Sequence, residues 1–378
     1  MTEYRVARPG EENKLLDLAN MVFSMAHEPH DFRRLCPKVY ARDDFASLHV
    51  VAAQGDQQRA MVGTYVFDLK VGQRLLRVGY IGTVSAHPDD KGLGHMRKLV
   101  PMAIDRAREQ GIHLLALGGQ RQRYNYFGFE TGSVSASFDV NDVNLRHLLR
   151  DVPQERTLRF VPFDDAPDAV AQEALQHAQK QPMAGIRDMA LMQQSMKMWK
   201  GAGHILLKTD AYAGYVYALH AHWHEWALLN PGDLLPALLA WQDATSTQRT
   251  GLTVPLYADE EIGILTRAAE GFSLQNKHML NVLDWGTVLD TLMAFLAGQG
   301  GAEEGDLVVE VEGAGRFRLS VRDGIGTAAV TDQSAQTTLS PNEAVLQLFS
   351  LAAMMDNNKT AGPRWFPLPL FISTADAF

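Results

Sequence analysis

A glycine-bearing loop between a strand-like run and an amphipathic helix is the part of the sequence best suited to chemistry. The loop reads Lys91-Gly92-Leu93-Gly94-His95-Met96. The first N–H groups of a helix lack intrahelical acceptors and lie at the positive end of its dipole, so they can bind a diphosphate. Gly92 and Gly94 would let the backbone approach such an anion without a Cβ clash. A plain tight turn has the same glycines, so both interpretations stay open.

A second candidate is a tyrosine in the aromatic run that follows the next strand-like segment. The run reads Arg123-Tyr124-Asn125-Tyr126-Phe127-Gly128-Phe129. A tyrosine hydroxyl within hydrogen-bond reach of a leaving group can protonate it as a general acid. The structural alternative is a half-buried Tyr124 that packs beside Phe127 and Phe129. For an isolated tyrosine that alternative would be favoured.

The elements that must position these residues follow from the spacing of apolar side chains. Positions 94–110 and 12–25 carry the stripe of one buried helical face. Because Pro101 lies inside the first stripe, the helix proper is predicted to start just before that proline. Strands are predicted at 48–53, 61–69, 74–78, 80–86 and 112–117, the first three as an antiparallel meander. A β-loop-α-β unit therefore surrounds the glycine loop.

The rest of the chain also reads as mixed α/β (α+β). In the middle segment, helices are predicted at 169–179 and 234–242, and strands at 203–208, 212–228 and 280–283. Near the end of the chain, strands at 307–311, 316–321 and 326–331 are predicted to form a meander. Ser340, Pro341 and Glu343 then predict the start of a helix, with Ser340 as N-cap and Glu343 closing a capping box.

The glycine loop resembles motif A of the GNAT superfamily of acyl-CoA transferases. That motif has Arg or Gln, two residues, Gly, one residue, and Gly or Ala after its fourth strand. Lys91, Gly94 and Met96 fall at these places, three, six and eight residues after Pro88. Lys91 keeps a hydrogen-bond donor, whereas Met96 is a departure from the motif.

The aromatic run resembles the superfamily's Tyr-x-x-x-Gly-Phe element, because Tyr124 stands four residues before Gly128. The resemblance implies acetyl-CoA as co-substrate, no metal, and Tyr124 as the general acid that protonates the departing thiolate. At this spacing the packing alternative for Tyr124 is less favoured. The resemblance also implies backbone contacts from the fourth strand to the pantetheine arm. The cofactor-binding positions are then Val84, Ala86, Lys91, Gly92, Leu93, Gly94, His95 and Met96.

The whole chain resembles the Eis (enhanced intracellular survival) family, strongly over 1–135 and at the C-terminal end, and weakly between. This implies three domains: a GNAT catalytic domain at 1–150, a GNAT-like middle domain without cofactor site at 151–284, and a sterol-carrier-protein-like domain at 285–378. In that family the terminal carboxylate serves as the catalytic base, which would be that of Phe378. A frayed tail is the alternative. The apolar, proline-bearing run 365–371 favours docking instead.

Members of this family acetylate aminoglycosides and other polyamines in an open pocket lined by acidic and aromatic residues. The matching candidates for contacting an amine acceptor are Phe23, Glu28, Asp31 and Phe32, which accumulate around Pro29. A helix-to-loop transition with a packed phenylalanine would produce the same pattern. The resemblance also implies a homo-oligomer, either a trimer or a hexamer.

Three histidines alternate in the predicted strand 212–228. His220, His222 and His224 would share one face of that strand because side chains alternate with period two. A metal site is one interpretation. A solvated sheet face is the favoured one.

Composition limits the function classes. The 378 residues carry a formal net charge of −9, which disfavours nucleic acid and favours a small cationic partner. The single cysteine excludes an intrachain disulfide and a cysteine-based zinc site. No apolar run is long enough to cross a membrane and no signal peptide precedes the first strand, so a cytoplasmic enzyme without membrane contact is predicted. The alternative is a non-catalytic protein, either an acyl-CoA sensor or an apolar-ligand carrier.

Overall fold

The computed structural model describes residues 1–26, 28–152, 158–355 and 363–378, which alternate between helices and strands in a mixed α/β fold. The first part of the chain forms β1 (Glu3–Val6), α1 (Glu12–Ala26), α2 (Phe32–Leu35), α3 (Pro37–Tyr40), β2 (His49–Gln54), β3 (Gln57–Val71), β4 (Arg74–Ala86), α4 (His95–Glu109), β5 (Leu114–Leu117), α5 (Arg121–Tyr124) and β6 (Glu130–Asn141).

Two further sets of elements complete the chain. The middle part forms α6 (Asp142–Leu148), β7 (Leu158–Pro162), α7 (Asp168–Lys180), β8 (Met183–Gly185), α8 (Met189–Ser195), β9 (Ala202–Lys208), β10 (Ala211–Leu219), β11 (His222–Leu228), α9 (Leu234–Thr245), β12 (Arg249–Pro255), α10 (Asp259–Ala268) and β13 (Gly271–Val282). The last part forms α11 (Trp285–Gly298), β14 (Gly305–Val311), β15 (Gly315–Arg322), β16 (Ile325–Val330), β17 (Thr337–Leu339), α12 (Pro341–Phe349) and α13 (Leu351–Met355).

The residues group by their contacts into two compact units. The first unit contains 1–133, 277–368 and 377–378, and the second contains 134–276 and 369–376. The predicted three-domain division at 150 and 284 is a division by family resemblance, which grouping by contacts does not test. It therefore stays a prediction.

The sheet of the first unit has the strand order β1-β2-β3-β4-β5-β13. Strands β4 and β5 are parallel and the other neighbours are antiparallel. The predicted antiparallel meander is confirmed, but the predicted strands 74–78 and 80–86 are one strand. Gly79 joins them because it stays in register opposite Val66. A Cβ on Gly79 would lie 2.7 Å from Leu115 Cδ2, so a larger residue there would have to displace this buried side chain of β5.

Helix α4 packs on this sheet through the predicted apolar face. Leu99, Val100, Ala103 and Ala107 are buried in one cluster with β2, β3 and β5. The predicted start of the helix just before Pro101 is wrong, because the helix begins at His95. A proline costs the helix one backbone hydrogen bond and introduces a steric clash. The burial of this apolar face on both sides of the proline outweighs that cost.

The second sheet of the first unit confirms the meander predicted near the end of the chain. Its order is β16-β15-β14-β17, with β14, β15 and β16 antiparallel. The predicted capping box is also confirmed. The Ser340 hydroxyl accepts from the Glu343 N–H at 3.4 Å, and the Glu343 carboxylate accepts from the Ser340 N–H at 2.9 Å.

The sheet of the second unit has the order β6-β12-β11-β10-β9-β7. Strands β11 and β12 are parallel and are connected through α9, as β4 and β5 are connected through α4 in the first unit. The predicted strand 212–228 is wrong as a single strand, since it folds into the antiparallel hairpin of β10 and β11. His220 lies in the turn, at a φ of 55°.

This hairpin separates the three histidines. Only His222 and His224 lie on β11, and the His222 Nε2 is 2.8 Å from the Thr253 hydroxyl. Within the described ranges, no group of three His, Cys, Asp or Glu side chains could hold a metal ion. His222 and His224 are half-buried on β11, whereas His220 is exposed in the turn.

The helices of the described residues are short. The longest, α1 and α4, have 15 residues each, whereas crossing a bilayer takes about 20 apolar residues. Over the described part of the chain, no helix is both long and apolar enough to span a membrane. The predicted cytoplasmic location stays a prediction.

A buried ion-pair cluster lies in the second unit. The Arg187 guanidinium donates to both carboxylate oxygens of Glu225 at 2.7 Å and to Asp376 at 2.8 Å. The three side chains are 4%, 11% and 6% exposed. The Gly185 N–H donates to the second Asp376 oxygen at 3.1 Å. Each buried charge therefore has an opposite charge and hydrogen bonds, which is the condition for tolerating it.

We expect Arg187→Met to destabilise the protein strongly. The change would leave Glu225 and Asp376 buried without their cation, which costs about 3–5 kcal/mol. Urea unfolding followed by tryptophan fluorescence measures the effect. Arg159→Met is the control because Arg159 and Asp210 form an exposed pair, worth about 1 kcal/mol or less. Equal stability of the two variants would contradict the expectation.

Candidate functional site

Strand β4 continues beyond the end of its parallel partner β5. The parallel pairing joins Val78–Ile81 to Leu114–Leu117, and β5 ends there while β4 continues to Ala86. Positions 82–86 keep their antiparallel partner β3 on the other side. Their second edge lies beyond the end of β5 and offers backbone N–H and C=O groups to a ligand.

A β-bulge lies in the separated segment. Met61 pairs with Ser85 and Gly63 with Gly82, so that Thr83 and Val84 together stand opposite one residue of β3. Thr83 has a φ of 44°, in the left-handed region that non-glycine residues rarely adopt. Such a bulge re-aims the side chains that follow it.

A cavity of about 610 Å³ opens beside this segment. Val84, Ala86, Met96 and Tyr124 all line it. The structure therefore brings the predicted strand positions, the first turn of α4 and the predicted general acid to one cavity. Arg97 and Arg123 also line it and give it positive charge.

The predicted anion-binding loop leads into the first turn of α4. Gly94 is the N-cap residue, with a φ of 77°, and Gly92 has a φ of 90°. Both glycines are needed for these left-handed conformations. No atom lies within 4 Å of a Cβ placed on either glycine, so the loop is open on that side. Lys91 and Leu93 are exposed.

The ring of His95 points into a buried network rather than outward. Its Nδ1 is 2.9 Å from the Tyr4 hydroxyl and its Nε2 is 3.0 Å from the Asp90 carboxylate. Asp90 in turn accepts two hydrogen bonds from Arg59, at 2.9 and 2.5 Å. The Arg59 guanidinium lowers the pKa of Asp90 to about 2. Among the predicted cofactor-binding positions, His95 thus offers a ligand its backbone N–H only.

Tyr124 lies over the glycine pair that follows β5. A Cβ on Gly119 would be 2.6 Å from Tyr124 Cε2, so the ring rests directly on this backbone. Burial raises the pKa of the Tyr124 phenol, and the charge of Arg123 offsets part of that rise. The phenol therefore carries its proton at neutral pH and can donate it. The ring also packs against Phe129 at 6.3 Å between centroids, as the packing alternative expected.

A buried carboxylate supports the turn that carries Tyr124. The Glu130 carboxylate accepts from the Arg121 guanidinium at 2.6 and 2.5 Å and from the Asn125 side chain at 2.8 Å. These two residues lie on either side of Tyr124. This role of Glu130 could not be predicted from the sequence, because the pairing depends on the turn itself.

The last residue of the chain is buried in the first unit. Phe378 is 8% exposed, and a Cβ on Gly82 would lie 2.6 Å from its Cδ1. Its ring also contacts Tyr40, with 5.8 Å between centroids. Phe378 therefore packs against the separated segment of β4.

The predicted acceptor residues divide into packed rings and exposed acids. Phe32 is buried between Phe23 and Tyr40, with ring centroids 4.9 and 5.9 Å away. Asp31 is the N-cap of α2 and accepts from the Arg33 N–H at 3.1 Å. Glu28 and Asp31 are exposed. Residue 27, inside this predicted segment, lies outside the described residues.

Tyr40, Gly82 and Thr83 also belong to the site and could not be assigned to it from the sequence. Tyr40 shows no local pattern for this role, since its hydrogen-bond partners His49 and Thr83 are 9 and 43 residues away in the chain. Gly82 did carry a signal, because a glycine inside a strand often marks a bulge or a close approach. Gly82 lies next to the bulge of β4 and close to the Phe378 ring.

Comparison with known proteins agrees with this geometry. Residues 3–132 match the family model for an acetyltransferase (GNAT) domain. This segment contains β4, the glycine loop, α4 and Tyr124. The protein is therefore an acyltransferase, with an acetyltransferase domain of the GNAT type. A comparison with curated proteins finds no match.

Solved structures share the fold over most of the chain. A GCN5-related N-acetyltransferase from Kribbella flavida is 18% identical, with 100% of this chain and 98% of that chain covered and a TM-score of 0.65. A probable N-acyltransferase from Enterococcus faecalis is 16% identical, with coverage of 91% and 88% and a TM-score of 0.65. Eis1 from Mycobacterium abscessus is 14% identical, with coverage of 91% and 88% and a TM-score of 0.59. These likenesses establish a GNAT-like fold.

We expect Asp90→Asn to destabilise the folded protein in a pH-dependent way. Because the folded-state pKa of Asp90 is lowered to about 2, its stabilising contribution is present above its unfolded value, near 4, and is lost as the pH falls toward 2. The stability gap between wild type and variant should therefore be largest near neutral pH and narrow in acid. Chemical denaturation across this pH range measures it.

Asp105→Asn is the matched control, because Asp105 forms an exposed pair with Arg108 at 2.9 Å. Its effect should be small at every pH. A stability gap for Asp90→Asn that stays constant from neutral pH to pH 3 would contradict the expectation.

Proposed function

We propose that this protein is an acetyl-CoA-dependent N-acetyltransferase that acts on a primary amine of a cationic small molecule or of a lysine side chain. The observation that carries the proposal is the cavity shared by Tyr124 and by Val84 and Ala86 of the separated strand. A protonated phenol and an unpaired strand edge in one cavity are what a thioester needs for binding and for leaving-group protonation.

The proposed cofactor site uses the loop, the helix and the strand together. The N–H groups at the start of α4 and the loop 91–94 would bind the diphosphate, aided by the helix dipole. Arg97 and Arg123 add cations at the cavity wall. The backbone of Val84 and Ala86 would hold the pantetheine arm as an additional strand does.

In the proposed reaction, the neutral amine nitrogen attacks the carbonyl carbon of the thioester. The carbon–sulfur bond of the tetrahedral adduct then breaks, and the sulfur takes the proton of the Tyr124 hydroxyl. The adduct's ammonium loses its proton to a base, and proton exchange with solvent then restores the base and the Tyr124 hydroxyl. The products are an N-acetylated amine and free CoA thiol. Holding the amine and the thioester together supplies a further part of the rate gain.

For the base we propose the terminal carboxylate of Phe378. A carboxylate can accept a proton as a general base when it lies within reach of the donor. The burial of Phe378 against Gly82, in the strand segment that carries Val84 and Ala86, supports this role.

For the acceptor we propose an aminoglycoside-like or polyamine-like cation. The exposed carboxylates of Glu28 and Asp31 and the net charge of −9 support a cationic partner. The half-buried Phe23 ring belongs to the same segment. Ring faces attract organic cations, so exposed acids with a partly exposed ring fit this class.

We further propose that the chain is Eis-like as a whole. Similarity to Eis1 over 91% of the chain supports this. The β11–α9–β12 connection, which repeats that of β4–α4–β5, supports a GNAT-like middle domain. The meander β14–β15–β16 belongs to the proposed sterol-carrier-protein-like domain. A cytoplasmic homo-oligomer, trimer or hexamer, completes the proposal.

The proposal is tested by thiol release from acetyl-CoA over a panel of aminoglycosides, polyamines and lysine peptides, together with calorimetric binding of acetyl-CoA. Turnover with any cationic amine supports an N-acetyltransferase. Binding without turnover would support the acyl-CoA sensor instead. If the protein neither binds acetyl-CoA nor releases thiol with any of these amines, the proposal is overturned.

We expect Tyr124→Phe to lower kcat about 10²- to 10⁴-fold, which is the usual contribution of a general acid. Acetyl-CoA affinity should stay the same because the ring still fills its place over Gly119. Tyr212→Phe is the control, since the Tyr212 hydroxyl lies 2.9 Å from His177 Nδ1 in the second unit. Unchanged kcat in Tyr124→Phe would remove this residue from the mechanism.

We expect Gly82→Ala to lower kcat as well, because its methyl group would overlap the Phe378 ring at 2.6 Å and displace it. Adding Phe378→Ala makes room for that methyl group and keeps a terminal carboxylate, so the double variant should recover part of the lost rate. Gly298→Ala, with open space around it, is the control. Wild-type turnover by Gly82→Ala would contradict the proposed base.

A further inference from the structure

A buried hydrogen-bond chain lies behind the bulge of β4. The Tyr40 hydroxyl is 3.0 Å from His49 Nε2 and 2.7 Å from the Thr83 hydroxyl. The three residues are 0%, 1% and 6% exposed. None of these three groups takes part in the proposed reaction.

The direction of hydrogen-bond donation follows from the contact of His49 with a backbone carbonyl. His49 Nδ1 lies 3.0 Å from the Phe45 carbonyl oxygen, which only accepts, so Nδ1 must carry the ring proton. Burial lowers the pKa of His49 to about 4, so the ring is neutral and Nε2 is an acceptor. Tyr40 therefore donates to His49, and its oxygen accepts the proton of the Thr83 hydroxyl.

The hydrogen-bond chain ends at Thr83, the residue of the bulge with a positive φ. A β-branched residue at the positive φ of Thr83 is a true outlier, which persists only where its surroundings hold it. The Thr83 hydroxyl is held by Tyr40, and the Thr83 carbonyl accepts from the Ser85 hydroxyl at 3.0 Å. Side chains from two directions thus hold the bulge in place.

The bulge decides which side chains face the cofactor cavity. Ile81 packs on the apolar cluster of α4, and so do Val84 and Ala86. A regular strand would turn 81, 83 and 85 to the same face, because side chains alternate. The extra residue shifts this alternation by one. Without it, the hydroxyls of Thr83 and Ser85 would take the places of Val84 and Ala86.

We propose that Tyr40 is a positioning residue for acetyl-CoA, which holds Thr83 in the bulge and so sets the strand edge that receives the pantetheine arm. This inference rests on the proposed function. The ring of Tyr40 contacts Phe378 and its hydroxyl bonds Thr83, so the two contacts can be separated by mutation. Losing the hydroxyl alone should weaken cofactor binding and leave the chemical step intact.

Tyr40→Phe tests the proposal, because it keeps the ring against Phe378 and removes the hydroxyl. We expect acetyl-CoA to bind about three- to tenfold more weakly by calorimetry, the effect of one neutral hydrogen bond. The KM for acetyl-CoA should rise by a similar factor with little change in kcat. Tyr217→Phe is the control, since the buried Tyr217 hydroxyl donates to the Met198 carbonyl at 2.7 Å in the second unit. It should leave acetyl-CoA binding unchanged.

Changes at Thr83 give a second test that does not alter the tyrosine. Thr83→Val keeps the β-branched shape and removes the hydroxyl, so it should weaken acetyl-CoA binding as Tyr40→Phe does. Thr83→Ser keeps the hydroxyl and should bind acetyl-CoA nearly as wild type. The double variant Tyr40→Phe/Thr83→Val should bind no more weakly than either single one, because both remove the same bond.

The outcomes separate this inference from the proposed function. Wild-type affinity in both Tyr40→Phe and Thr83→Val would overturn the positioning role, even where the wild-type protein binds and turns over acetyl-CoA. Equal weakening by Thr83→Ser and Thr83→Val would also overturn it, because the hydroxyl would then be irrelevant. Failure of the wild-type protein itself to bind acetyl-CoA would overturn the proposed function.

Discussion

The separation of β4 from β5 is the constraint on which the rest of the site depends. Two parallel strands that stay paired satisfy each other's backbone groups and leave nothing for a ligand. Here the pairing stops at Ile81, and β4 continues for five more residues with one edge unpaired by β5. The first turn of α4 and Tyr124 line one cavity with that edge. Without the separation, these groups would surround a closed sheet.

Much of the candidate site could be predicted from sequence, because its signals are local. The apolar stripe of α4, the glycines before it and the spacing from Tyr124 to Gly128 all lie within short windows. Helix periodicity and glycine conformation act over the same short range, so the pattern and its cause coincide. The exception within α4 was Pro101, where packing on the sheet outweighed a local preference.

The residues that sequence reasoning missed are joined by long-range contacts. Tyr40 and Thr83 are 43 positions apart, and Arg187 and Asp376 are 189 apart. No periodicity links such pairs, because the fold alone brings them together. The hairpin at His220 was missed for a related reason. A turn residue with positive φ and no glycine gives little local warning.

The contact between Phe378 and Gly82 also has an evolutionary consequence. The ring occupies the space that any side chain at 82 would need, so the two positions are not free to change independently. Related proteins that keep a bulky aromatic residue at the place of Phe378 should keep glycine at the place of Gly82. Lineages that lost the aromatic residue would be released from that requirement. The residues at positions 82 and 378 should therefore change together among related proteins, because they compete for the same space.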